Sequence, residues 1–120
     1  MDDDVTELPA LDVEQLRRFT GADLDLEEEI FDLFLKNGER YLETIAQSEN
    51  AEARRIAAHS LKGSARGIGA MQVEQAAQKL EDLAAAAEVE RSGPSRALQQ
   101  AFNRVREALA VHLLAGEIDD

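Results

Sequence analysis

The chain has no cysteine and no tryptophan, only two prolines, and 4% aromatic residues. Without cysteine there can be no disulfide, thiolate nucleophile or Cys-based metal site, and nothing points to an oxidising compartment. β-branched residues are also scarce, whereas Ala, Leu, Glu, Gln and Arg dominate, a balance that favours helix throughout. No apolar run approaches the ~20 residues that a membrane span needs, and the acidic N-terminus is unlike a signal peptide, so a cytoplasmic location is expected. Positive charge is in deficit. The net charge of −12 disfavours nucleic acid and anionic membrane as partners, because both select basic surfaces. The surplus carboxylates read as a solvated exterior. What remains, 120 residues with 44% hydrophobic, suffices for one soluble domain with a single core.

Residues 1–9 read as a disordered acidic lead-in ending at Pro9. Asp12 with Gln15 makes a capping box for a short helix that stops near Thr20-Gly21. Asp25 with Glu28 repeats the signature and opens a longer helix carrying Ile30, Phe31, Phe34, Tyr41, Leu42 and Ile45, with Leu33 and Leu35 widening its apolar side. Gly38 sits inside it, costs up to ~1 kcal/mol, and is a candidate kink. A third helix starts near Asn50 and is broken or bent at Gly67-Ile68-Gly69-Ala70. Met71 begins a fourth, with Val73, Ala76, Ala77, Leu80, Leu83 and Ala87 at helical spacing. Arg91-Ser92-Gly93-Pro94 reads as a linker, with Pro94 in the first turn of a last helix that carries Leu98, Phe102, Val105, Leu109 and Leu113. Gly116 closes that helix before an acidic tail, 117–120. The expectation is an all-α fold: an antiparallel up-down four-helix bundle over residues 10–116, with a short additional N-terminal helix capping one end.

Two histidines are present. Metal binding fails on spacing: the helical neighbours of His59 are Arg55, Ile56, Lys62 and Gly63, and those of His112 are Ala108, Leu109, Ala115 and Gly116. No nucleophile elbow or nucleotide-binding loop occurs, and Gly63-Ser64-Ala65-Arg66-Gly67-Ile68-Gly69 follows a helix and lacks the Lys-Ser/Thr ending of a phosphate loop. On a helix, Arg55, Lys62, Gly63 and Arg66 lie within about 60° of the His59 imidazole, and Ala53, Ala57, Leu61, Ala65 and Ile68 lie on the other side. Residues 53–73 contain Arg54, Arg55, Lys62 and Arg66 and no Asp or Glu. An exposed imidazole in a basic, uncluttered patch suits a group that carries a phosphoryl and presents it to another protein. Neutral imidazole is a competent nucleophile near pH 7. Lys62 can neutralise a phosphoryl oxygen, Arg55 and Arg66 add screened attraction, and Gly63 lets a partner come close. His112, beside Val111 and Leu113, reads as a boundary position.

The string His59-Ser60-Leu61-Lys62-Gly63-Ser64, followed by Gly69-Ala70, resembles the signature of the histidine-containing phosphotransfer (HPt) domain family. The resemblance extends upstream to Leu11-Asp12, Leu16 and Ile30-Phe31-Asp32-Leu33-Phe34-Leu35, and downstream to Leu80-Glu81 and the final helix, covering about residues 10–115. It implies a monomeric helical bundle whose His59 accepts a phosphoryl from, and passes it to, aspartates on receiver domains, those of a hybrid histidine kinase and of a response regulator. By the same resemblance Lys62 assists the phosphoryl, Gly63 gives access, Ser64 fills a small-residue position, and Glu81 stands where some members place a Gln that contacts the histidine. Ala65 replaces a common second Ser, and Gly67 is an extra glycine. The family docks receivers partly through apolar residues of the second helix, which makes Phe31, Leu33 and Leu35 docking candidates. No cofactor would be bound by this chain, and Mg²⁺ would sit on the receiver. With no nucleotide site, no ATP-dependent autokinase activity is expected. Two rivals are a non-catalytic helical adaptor and the dimerisation-and-phosphoacceptor helix pair of a sensor kinase. The latter usually has an acidic residue after the histidine, where Ser60 stands here.

Overall fold

A computed structural model describes residues 7–119, with side chains through Gly116. The expected lead-in therefore lies largely outside the described residues. Within them there are five helices and no strand: α1 Val13–Thr20, α2 Leu24–Gln47, α3 Ala51–Ile68, α4 Met71–Asp82 and α5 Glu88–Asp119. Among the described residues no helix is long and apolar enough to cross a membrane. Contacts run in a ring, α2 on α3, α3 on α4, α4 on α5 and α5 on α2, while α1 lies against α3. The core inside the ring is built from Phe31, Phe34, Leu42 and Ile45 of α2, Ala57, Leu61, Ala65 and Ile68 of α3, Val73, Ala77 and Leu80 of α4, and Leu98, Phe102, Val105 and Leu109 of α5. These are the helical stripes that the sequence spacing predicts.

The first three helices start at short polar side chains that cap them. Asp12 accepts from Gln15 N–H at 3.2 Å and Asn50 from Ala53 N–H at 2.9 Å, each relieving an orphan donor of the first turn. The capping box at Asp12 is only half made, because the Gln15 amide donates across to the Arg66 carbonyl. With Asp12 N–H donating to Gly69 O at 2.7 Å, that contact seats α1 on the C-terminal end of α3. The α2 cap is Asp23, two residues ahead of the expected Asp25, and it accepts from Leu26 N–H at 3.2 Å. Glu27, in the first turns, faces inward, where it is 1% exposed, accepts from Thr20 Oγ1 at 2.7 Å and lies 2.8 Å from His112 Nε2. His112 is thus a partly buried partner of Glu27, at the boundary position expected, and also meets the Phe31 ring edge-on.

Gly38 makes no break in α2. A Cβ there would collide with the Phe102 ring, so the glycine lets α2 and α5 approach. The last helix differs most from expectation. α4 stops at Asp82, so Leu83 and Ala87 lie outside it, and the turn at 83–87 leads into a helix that begins at Glu88. That turn is held by Arg54, buried in α3, whose guanidinium donates to Ala84 O at 3.1 and 2.7 Å and to Ser48 O at 2.8 Å, and by Arg91, which donates to Ala86 O at 2.9 Å. Residues 91–94 are helical rather than a linker, and Pro94 lies within α5. Gly93 before it has no Cβ to clash with the proline ring, which removes the main objection to a helical residue ahead of proline. Nor does Gly116 end the helix, which continues to Asp119.

Candidate functional site

Gly69, at φ +83°, ends α3 with its N–H donating to Arg66 O, and Ala70 N–H donates to Ala65 O at 2.9 Å. A two-residue link then starts α4. Cross-helix contacts step together: Arg66 with Glu74, Lys62 with Gln78, His59 with Glu81. α3 and α4 therefore run antiparallel, and a polar seam flanks the outer face of the pair.

His59 is 62% exposed at its side chain and points away from the core, as expected. Its Nδ1 lies 3.1 Å from Glu81 Oε2, and the other carboxylate oxygen lies 2.8 Å from Lys62 Nζ. Glu81 is held below the ordinary carboxylate value of 4.5, first by the Lys62 hydrogen bond and then, against its own desolvation, by that to His59. An ionised carboxylate only accepts, so Nδ1 is the protonated nitrogen and Nε2 keeps its lone pair in the neutral ring. Among the described residues Nε2 has no hydrogen-bond partner.

The patch is not the bare cationic surface that the acid-free window 53–73 suggests. Arg54 is turned into the core, Arg55 is paired with Glu52 through two bonds of 2.8 Å, and Arg66 lies 2.7 Å from Glu74. Lys62 is only 15% exposed and faces α4. A window of sequence cannot register the carboxylates of Glu74 and Glu81, which arrive across the hairpin. Their spacing with Gln78, at every third or fourth position of α4, is the signal that could have revealed the seam.

A Cβ added at Gly63 or Gly67 would meet no atom within 4 Å, so the fold itself requires neither glycine. Gly63, Ser64 and Gly67 form one wall of a groove of about 330 Å³ whose other wall is Phe19, Ile30 and Leu33. Of the docking candidates on α2, Leu33 is 59% exposed and Leu35 is partly buried against the core, whereas Phe31 is buried against His112 and presents no face to a partner. Phe19 of α1, equally exposed, was not anticipated. A single exposed aromatic in a helix of eight residues carries no pattern in sequence.

No curated protein matches the chain. Its structure is similar to the crystal structure of histidine-containing phosphotransfer protein B (HptB) from Pseudomonas aeruginosa PAO1. The TM-score is 0.78 at 25% identity, over 89% of this chain and 96% of that one. The family model of the Hpt domain matches residues 29–113, from the first turns of α2 into the last helix, with His59, Lys62, Gly63 and Glu81 inside the matched span. An exposed histidine with one free nitrogen, backed by a carboxylate and a lysine on an antiparallel helix pair, thus sits in a chain that belongs to the Hpt domain family.

Proposed function

We propose that this chain is a histidine phosphotransfer intermediate of a multistep phosphorelay and that His59 Nε2 is the phosphoacceptor. The observation that carries this reading is the pairing of Nδ1 with Glu81, which leaves Nε2 as the exposed nucleophile. A receiver domain brings its aspartyl phosphate against α3. The Nε2 lone pair forms the N–P bond, the P–O bond to the aspartate breaks, and the carboxylate leaves with the electron pair. Nδ1 keeps its proton throughout, and the positive charge that the phosphorylated ring acquires lies opposite the Glu81 carboxylate. Transfer onward to a second receiver reverses these steps. Any Mg²⁺ resides in the receiver's acidic pocket, and the phosphoryl comes from an aspartate rather than from ATP.

Gly63 and Gly67 give the receiver its approach, and the groove beside them takes an apolar side chain from the partner between Phe19 and Leu33. The carrier is an antiparallel up-down four-helix bundle, monomeric and cytoplasmic. It serves between the receiver of a hybrid histidine kinase and that of a response regulator.

The test is transfer from phosphorylated receiver domains to wild type and His59→Gln, followed by chemical stability of the label. Wild type should gain an acid-labile, base-stable phosphoryl. His59→Gln should keep its helical circular dichroism and gain none. Equal labelling of the two proteins would refute the assignment, and receivers that bind wild type without ever labelling it would favour an adaptor.

A further inference from the structure

Lys62 is held at two points by α4. Its ammonium lies 2.8 Å from Glu81 Oε1 and donates to Gln78 Oε1 at 2.9 Å. Gln78 and Glu81 are three residues apart on α4 and so share a face. The Gln78 amide is itself oriented, because its Nε2 donates to Asp82 Oδ1 at 2.9 Å. Asp82 can only accept and Lys62 can only donate, so a single orientation of the amide satisfies both.

An ammonium has three N–H donors. Gln78 Oε1 accepts one of them, whereas Glu81 Oε1 at 2.8 Å is an ion-pair contact without an aligned hydrogen bond, so the amide is what gives the ammonium a direction that a lysine free in solvent would lack. The chemistry of that acceptor also matters. A second carboxylate beside Glu81 would cancel the positive charge that a phosphoryl needs, whereas a neutral amide oxygen holds the ammonium and leaves its charge in place.

We propose that Gln78, backed by Asp82, is a positioning residue for phosphoryl transfer: it fixes the Lys62 ammonium so that one of its other N–H groups meets a phosphoryl oxygen on His59 Nε2. The inference rests on the reading of His59 as phosphoacceptor. Gln78 exchanges no proton and touches no reacting atom. Its effect passes through Lys62 alone, as preorganised charge stabilisation.

The probe is phosphoramidate, a small donor that needs no docking surface. Its N–P bond breaks with release of ammonia as the Nε2–P bond forms. Labelling rates are compared for wild type, Gln78→Met, Lys62→Met and the double variant, with His59→Gln as the blank. Methionine keeps the length of glutamine and removes the acceptor. Gln78→Met is expected to label about tenfold more slowly than wild type, the low end for one hydrogen bond to a charged group. In the Lys62→Met background the same substitution is expected to change nothing, since two residues acting through one interaction are not additive. Gln78→Ala carries the same expectations should the methionine variant fail to fold. An unchanged rate in folded Gln78→Met overturns the proposal, and so does an equal slowing in both backgrounds, which a purely structural role would give. Wild type labelled no faster than His59→Gln would overturn the His59 assignment instead.

Discussion

Glycine 63 separates what the fold needs from what a partner needs. It occupies an exposed position in the middle of α3, where alanine is favoured by about 0.5–1 kcal/mol, and a Cβ there would touch nothing in the protein. Gly63→Ala is therefore expected to raise stability by about that amount in urea unfolding. It is also expected to slow transfer from a phosphorylated receiver while leaving labelling by phosphoramidate unchanged, because only the protein donor must lay its surface on α3. Slowing with both donors would mean that the methyl disturbs His59 itself. This much of the site was legible in sequence: His59 exposed, Lys62 one turn on, and a bare backbone beside them all follow from helical spacing. The partners of those residues were not legible. The acid-free stretch around His59 reads as a cationic patch, and the structure neutralises it with Glu52, Glu74 and Glu81, the last two brought in by the fold of the hairpin.

Helices α1 to α3 begin at residues whose side chains cap them, which is why their starts are readable to within two positions. The boundary between α4 and α5 is set otherwise. Ala84–Ala87 has the best helix-forming residues there are, and local propensity alone would carry α4 through it. Arg54, thirty residues earlier, takes the Ala84 carbonyl with two N–H groups and the Ser48 carbonyl with a third, so the chain turns there. A tertiary hydrogen-bond set of this kind outweighs a few tenths of a kcal/mol per residue of propensity. Arg54→Met fills much of the same volume with no donor, and leaves two carbonyl groups short of their partners. A loss of about 2–4 kcal/mol is expected, read as a lower urea midpoint, with faster amide exchange concentrated at residues 83–88. A variant as stable as wild type would show that the turn is fixed by α5 instead. Glycine 38 makes the complementary point. Its cost to α2 is visible in sequence, but its use, room for the Phe102 ring, is visible only once α5 is packed in place.

For the whole molecule the dominant electrostatic fact is a net charge of −12, which repels itself in the compact state and is relieved as acid protonates carboxylates. Glu81 works in the opposite sense. Its carboxyl is held below 4.5 in the folded chain by Lys62 and His59, so the folded state binds that proton more weakly than the unfolded state does. The stability it contributes is fully present above the ordinary carboxylate value and is lost as pH falls through the lower folded value. Melting temperature against pH for wild type alone mixes the two effects. The difference between wild type and Glu81→Gln does not, because the other carboxylates are common to both proteins and the one charge removed is a small part of the total. That difference should favour wild type at about pH 5 and above, then shrink towards pH 3 as the carboxyl becomes a neutral acceptor like the amide that replaces it. A difference that is flat across the acid range would mean that Glu81 is not ion-paired in solution. His59 would then lose the anionic partner that fixes its tautomer.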